Sequence, residues 1–599
     1  MRGVWIFLGW VLISFSVLAA DEDLKTTTAI KVEIKGIEEA EIVKNILASL
    51  RIEQQKNNER LTKKRIKRLH KKAPEDIQIA LRPFGYYRPQ VDSELTAPEA
   101  AKTIWTATYT IDLGDPLILK TVDVELQGEA KKDKIFARLL AKFPVKQGDI
   151  FNSPNYEKGK RVLRNLAESR GYFDANFLTT QILLDESDYS ANVKLVFDSG
   201  KRYKFGAIQY EQDTFKESLL DRYKTFEVGD AYNEDTMLAF RTALVNSQYF
   251  DDVDVRIQRP DNKQAKKNYD IPVTVKLAPR KRNLYNASIG YGTDTGIRGG
   301  LGWERRYINS YGHSFKFDLQ LSEIRQAATA QYLIPVGDDE NQYLTAKAGY
   351  LKEENDIYDT ESLIVGLSKN QIRTVFNNIK LQEVIGIEYR DEKYQIGEDT
   401  GHATLLMPNA SWSFIKADDR IYTLNGYKLD FSIRGALNNL GSDNSFIQPH
   451  LSGKYIHQVF EKGRFITRGE WGYTSVSLLD GEFRDLPPSI RYFAGGDKSV
   501  RGYDYNALGP QDTKGNVIGG KNLIVGSAEY EHQIVGKWSA AVFYDVGNAF
   551  NDFSEALQHG VGVGVRWRSP IGLIRVDVAT ALNDDNYPVR LHINIGPDL

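Results

Sequence analysis

The residues with the most chemistry to offer gather late in the chain, in Tyr492-Phe493-Ala494-Gly495-Gly496-Asp497-Lys498-Ser499-Val500-Arg501-Gly502-Tyr503. Two adjacent glycines make a bend, and a hydrophobic-Arg-Gly-aromatic tetrapeptide follows it. A guanidinium is a permanently charged, planar fork of donors, suited to holding carboxylates rather than moving protons. A lone arginine brought into a protein interior would be costly unless paired. Gly502 would let the backbone turn sharply beside it. On residue types alone, Arg501 is either an ordinary charge or a group that needs carboxylate partners.

Other stretches only look like catalytic or cofactor motifs. Gly515-Asn516-Val517-Ile518-Gly519-Gly520-Lys521-Asn522 nearly spells a phosphate-binding loop. It lacks the Ser/Thr after Lys and leads into an alternating strand, not a helix whose N-terminus could cradle phosphate. Gly560, Gly562 and Gly564 alternate within a strand, where they would thin one face or permit bending. There is no Gly-x-Ser-x-Gly elbow and no His-Glu-x-x-His, and the eight histidines are scattered. With no cysteine, disulfides, Cys-based zinc sites, iron–sulfur clusters, a thiol nucleophile and a lipid-modified cysteine are excluded. Neither a metal nor a cofactor is expected.

The elements that must position Arg501 come from residues 283–599. Phe315, Phe317, Leu319 and Leu321 alternate with Lys316, Asp318 and Gln320. Tyr427, Leu429, Phe431 and Ile433 alternate with Lys428, Asp430, Ser432 and Arg434. The same period recurs at Ile574–Val578 and Val589–Ile595, so each strand has one apolar and one polar face. A soluble sandwich would show the same local pattern, but this region is too long for an ordinary one. Five of the eight tryptophans lie here (Trp303, Trp412, Trp471, Trp538, Trp567), as do 20 of the 32 tyrosines, as aromatic girdles would require. A transmembrane antiparallel barrel of about 16 strands is expected over residues 282–599, its apolar face toward lipid and its charged face lining a wet lumen.

The first half repeats itself. Gly85-Tyr86-Tyr87, Gly171-Tyr172-Phe173 and Gln248-Tyr249-Phe250 each follow a helix-like stretch and lead into a strand. Phe143-Pro144-Val145-Lys146-Gln147-Gly148-Asp149-Ile150-Phe151-Asn152 resembles Phe226-Glu227-Val228-Gly229-Asp230-Ala231-Tyr232-Asn233, where Gly-Asp turns the chain and Asn would cap a helix. Three α+β units are expected, at 21–115, 116–203 and 204–281. Their aromatic pairs read as packing between helix and sheet. In the first unit, Lys63, Lys64, Arg65, Lys67 and Arg68 crowd one helix with His70, Lys71 and Lys72. Such a run is either a solvated face or an electrostatic contact with anionic lipid or an acidic partner. Before these units, Arg2, the apolar Val4–Leu18 and Ala19-Ala20 read as a secretory signal peptide over 1–20.

Taken together, the glycine-rich bend and Val500-Arg501-Gly502-Tyr503 resemble the outer-membrane protein assembly superfamily, where this motif marks a long extracellular loop folded back into the barrel. Phe543-Tyr544-Asp545-Val546-Gly547 matches that family's Phe-x-Asp-x-Gly strand, and Ser527-Ala528-Glu529 sits where an inward glutamate is expected. The resemblance implies that Val500, Arg501, Gly502 and Tyr503 anchor that loop, with Gly495 and Gly496 as its hinge, and that Glu529 and Asp545 take the guanidinium of Arg501; the alternative is that these three are ordinary lumen charges. It implies that the N-terminal units are POTRA domains. Three of them suit the translocation and assembly module (TamA-type) branch, against five in BamA-type factors and two in two-partner secretion transporters. Gly562–Gly572 also resembles this family. The ending Gly596-Pro597-Asp598-Leu599 departs from the usual terminal aromatic of outer-membrane chains.

The composition first suggests an ordinary soluble protein of roughly four domains: 599 residues, 41% hydrophobic and 26% charged. A mean hydropathy of -0.42 excludes a polytopic helical membrane protein, and a formal net charge of -2 gives no global field for nucleic acid. Alternating faces average the hydropathy of a barrel toward that of a soluble chain. The family resemblance implies a non-enzymatic insertase for β-barrel proteins such as autotransporters. Its partners would be unfolded clients, outer-membrane lipid and an inner-membrane-anchored, periplasm-spanning protein of the TamB type. A lateral seam is expected between a first strand carrying Tyr285, Ile289 and Tyr291 and a last strand carrying Leu591, Ile593 and Ile595. A polypeptide pore of the two-partner type and a barrel-anchored enzyme are the alternatives.

Overall fold

The computed structural model describes residues 29–58, 61–98, 104–185, 187–258, 269–337, 341–375, 379–476, 483–569 and 572–599. The signal peptide expected at 1–20 and Pro570-Ile571 lie outside the described residues. Three small α+β units precede a closed antiparallel barrel of sixteen strands, as the repeat and the alternation predict.

Each unit is a three-stranded sheet in which the last strand takes the middle. In the first, Ala29–Lys35 and Gln90–Thr96 flank Ile104–Asp112. In the second, Ile118–Gln127 and Asn176–Asp185 flank Ser190–Asp198. In the third, Lys204–Glu211 and Phe250–Ile257 flank Asp270–Pro279. Helices close one face. Lys63–Leu81 is capped by the Thr62 side chain, which accepts from the Arg65 N–H, and buries Ile66, Leu69, Ala73 and Ile77 at helical spacing. Ser153–Ser169 is capped by Asn152, which accepts from the Asn155 N–H at 2.9 Å.

The first ring of each aromatic pair (Tyr86, Tyr172, Tyr249) is buried. Tyr249 does more than pack. Its hydroxyl donates to the Gly312 carbonyl at 2.6 Å, and its neighbour Phe215 sits edge-on against Tyr307, 4.9 Å between ring centroids. The third unit is thus fastened to the turn between the second and third barrel strands, a role the repeat pattern does not reveal. Arg222 adds to the fastening by donating to the carbonyls of Val336 and Gln342.

The barrel runs from Asn283–Gly292 to Val589–Gly596. Strand length is uneven. Tyr358–Val375, Ile379–Ile396 and Asp399–Ala417 have 18, 18 and 19 residues, while the first and last strands have 10 and 8. About 9–11 tilted residues cross a bilayer, so the wall around the first and last strands has none to spare. Between strands Gly463–Tyr473 and Asn522–Val535 the chain, described at 474–476 and 483–521, folds back into the lumen. It brings apolar groups with it. Ala494, Val500 and Leu508 pack on Leu523, Val525 and Ala549, and Phe483, Leu486 and Ile490 pack on Leu405, Met407 and Phe446. The expectation of a lumen that is charged and wet throughout is therefore corrected: part of it is a dry, packed interior made by the loop.

Candidate functional site

The site is built on one face of consecutive strands. In Trp538–Phe550, Phe543, Asp545 and Gly547 share the inward face because side chains alternate with period 2. In Asn522–Val535, Ser527, Glu529 and Glu531 do the same. The register sets Ser527 opposite Asp545 and Glu529 opposite Phe543. The loop delivers Arg501 onto this surface. Gly495 and Gly496 adopt φ of 102° and 99°, and a tight turn holds them there: Gly495 N–H donates to Ser499 Oγ, and Gly496 N–H to the Val500 carbonyl. Gly502, at φ 100°, lies so close to the penultimate strand that a Cβ there would sit 2.7 Å from the Thr580 carbonyl carbon. Gly560 faces the Arg501 carbonyl, leaving no room for a side chain, so that member of the glycine trio makes space for the loop.

Arg501 is 5% exposed. Its Nε and Nη2 take the two oxygens of Asp545 at 2.7 and 3.0 Å, the forked arrangement that guanidinium geometry favours. Its Nη1 donates to Glu529 at 2.9 Å and to Asp577 at 3.0 Å. Its backbone N–H also donates to Asp545, at 3.1 Å. The Phe543 ring lies under the guanidinium, 3.3 Å from centroid to Cζ. Both the Phe and the Asp of the Phe-x-Asp-x-Gly stretch therefore serve one arginine.

Glu529 and Asp577 are shared with a second buried arginine, Arg566, which donates to Glu529 at 2.7 Å and pairs with Asp577. Arg468 Nη2 stands 3.8 Å from Asp545. Three guanidiniums thus face three carboxylates, and the cluster is balanced in charge. Sequence reasoning did not single out Asp577, Arg566, Arg468 or Ser527. Asp577 sits on the polar face of the Ile574–Val578 alternation, which marks it as inward but not as a partner of Arg501. A second buried network joins Arg464 to Glu531 and Asp598, both at 2.5 Å.

Three further residues, far apart in sequence, meet beside the anchor. Asp294, Asp497 and His592 bring their side-chain oxygen and nitrogen atoms within 4.8 Å of one another. The donor types would suit a cation, but they are already engaged with one another and with Thr293 and Gly502.

The first and last strands meet sparingly. The first pairs with the second over ten register positions, Asn283–Gly292, but with the last at Gly292↔Asn594 alone among the described residues. One further backbone bond, Thr293 N–H to the Ile593 carbonyl, measures 3.3 Å. The point of contact lies just past the Tyr285–Tyr291 stretch. Tyr285 and Ile289 are 72% and 85% exposed on the outer face, with Tyr291 and Leu591 exposed beside them and Ile593 and Ile595 half-buried.

In the first unit, Lys63, Lys64, Lys67 and Arg68 are exposed and Arg65 is half-buried. The run starts at the positive end of the helix dipole, and the first turn carries no acidic residue. That placement costs helix stability rather than adding to it. His70, on the same helix, meets the Tyr109 hydroxyl at 3.0 Å, and burial pulls its pKa below the ordinary 6.5.

Residues 280–598 match the Omp85 superfamily domain. The chain belongs to the Omp85 superfamily. Residues 31–113 match the model described as POTRA domain TamA domain 1, and 120–200 match a POTRA model described as surface antigen variable number repeat. Among curated relatives, the outer membrane protein assembly factor BamA of Neorickettsia risticii is 23% identical over 478 residues, 74% of this chain and 61% of that one. BamA of Nitratidesulfovibrio vulgaris is 24% identical over 376 residues, 58% of this chain and 44% of that one. The chain thus spans about two-fifths to three-fifths of these relatives. The crystal structure of Haemophilus ducreyi BamA lacking POTRA domains 1–3 has the same fold, with a TM-score of 0.67 at 17% identity, covering 80% of this chain and 99% of that one. This Omp85 barrel lies in the bacterial outer membrane, with its POTRA domains in the periplasm.

Proposed function

We propose that this chain is an outer-membrane insertase of the translocation and assembly module, TamA-type, branch, passing β-barrel clients such as autotransporters into the bilayer through its lateral seam. The observation that carries this reading is the contrast at the first strand: ten register positions on one edge and one on the other. The unpaired N–H and C=O groups of that edge are a template for an incoming strand. Strand closure in lipid is itself favourable, because no water is present to satisfy backbone groups, so the step needs no nucleotide. The Arg501 cluster positions the loop against the strands next to the seam. It holds a loop and moves no proton, so the reading is of a non-enzymatic protein.

The same reading makes the helix face of exposed Lys63, Lys64, Lys67 and Arg68 with half-buried Arg65 a docking surface for an inner-membrane-anchored, periplasm-spanning partner of the TamB type. The match to a TamA-type first POTRA domain supports this branch over a two-partner secretion pore.

The seam reading is tested with a disulfide. The chain has no cysteine, so Tyr291→Cys with Ile595→Cys introduces the only pair. Oxidation should reduce insertion of an unfolded barrel client into proteoliposomes to the protein-free level, and reductant should restore it. Insertion that proceeds unchanged through a covalently closed seam would reject the reading.

A further inference from the structure

Backbone pairing does little to close the seam, yet side chains close it just above the paired position. Asp497, carried by the inward loop, reaches both edges. Its Oδ1 accepts from Thr293 Oγ1 at 2.9 Å, and its own N–H donates to Asp294 Oδ2 at 2.6 Å. Thr293 and Asp294 form the turn that follows the first strand. The same Oδ1 lies 2.6 Å from Nδ1 of His592, on the last strand. One loop residue therefore bonds to both sides of a junction whose own strands share a single register pair.

His592 extends the connection. Its Nε2 accepts from the Gly502 N–H at 3.0 Å, which makes Nε2 the acceptor of the ring and places the ring hydrogen on Nδ1, toward Asp497. The imidazole is buried, as is Gly502. It spans the loop turn from Asp497 at one end to the residue after Arg501 at the other. A shift of the loop would break both bonds at once.

We propose that Asp497 is the latch that holds the seam shut, and that His592 couples this latch to the anchored Arg501-Gly502 turn, so that release of the loop and opening of the seam are one event. This deepens the lateral-seam reading and rests on it. Asp497 and His592 are positioning residues: they act through the strands and the loop turn that they join.

The full chain, reconstituted in nanodiscs, allows a direct test. Spin labels at Ile289→Cys and Leu591→Cys report the separation of the two seam strands from their outer faces, without interference from native thiols. Asp497→Ala and His592→Ala should each lengthen the main distance by on the order of 5 Å, one strand spacing, and the double variant should add nothing further. Asp497→Asn, which keeps the shape but weakens the bond to His592, should shift the same distribution by less; it carries the test if the alanine variant fails to fold, judged by heat-modifiable migration. A distance unchanged in both Asp497 variants would overturn the latch, even if the Tyr291→Cys/Ile595→Cys disulfide still blocks insertion and so leaves the seam reading standing. Insertion through the closed disulfide would instead reject the seam reading while the distances still report on the latch.

Discussion

Replacing Arg501 with alanine should undock the inward loop. The side chain makes four bonds to carboxylates, two to Asp545 and one each to Glu529 and Asp577. Glu529 and Asp577 keep Arg566 as a partner. Asp545, which is fully buried, keeps the Ser527 hydroxyl at 2.6 Å and Arg468 at 3.8 Å. Removing one member of a buried ion pair costs about 3–5 kcal/mol, because the other is left buried and uncompensated. The cost here belongs at the low end, since Arg468 can swing in. At ~1.4 kcal/mol per tenfold, the ratio of docked to undocked loop should fall by roughly two to three orders of magnitude. Hydrogen exchange of the amides around Val500–Tyr503 in the reconstituted chain reads that ratio directly. Arg501→Lys keeps the charge but offers a compact point donor instead of a fork, so its loss should be intermediate. Arg501→Ala combined with Asp545→Ala should cost less than the sum of the two, since neither then strands the other. Exchange in Arg501→Ala within tenfold of the wild type would refute the view that this cluster holds the loop.

Three other outcomes follow from the same geometry. Gly502→Ala should expose the loop to limited proteolysis, because its φ of 100° and the 2.7 Å approach to Thr580 leave no place for a Cβ; an uncleaved, wild-type pattern would show that the contact yields. Lys64→Glu should stabilise the first POTRA domain by about 0.3–1 kcal/mol at low salt by matching the helix dipole, while weakening capture of the periplasmic partner; a lower melting point would contradict the dipole argument, and unchanged capture would remove this face as the docking surface. His70 should make that domain acid-sensitive. Its folded pKa lies below the unfolded 6.5, so its contribution is intact above 6.5 and fades as the pH falls through that value toward the folded pKa. Amide protection in Lys63–Leu81 should drop between pH 7.5 and 5 after correction for intrinsic exchange, and less so in His70→Gln; equal losses in both would exclude His70 as the cause.

Much of the fold was legible because it rests on local periodicity. Phe-x-Asp-x-Gly is readable as three residues on one strand face, and the repeated aromatic pairs mark three units, since each is dictated by neighbours along the chain. The partners of Arg501 were legible only through family resemblance for Glu529 and Asp545, and not at all for Asp577 and Arg566. Alternation says which residues point inward but not which strand lies opposite which.

What the sequence by itself determined is the set of faces: which side chains meet lipid, which line the lumen, where glycine must stand for the loop to bend. What the tertiary structure alone decided is who meets whom across the lumen. Asp294, Asp497 and His592 are separated by 203 and 95 residues and converge through barrel closure and loop insertion. The weak seam is a property of the same closure. The first strand pairs along its whole length with the second, so its poor pairing with the last arises from where the sixteen-strand ring ends, a global constraint that no local pattern encodes.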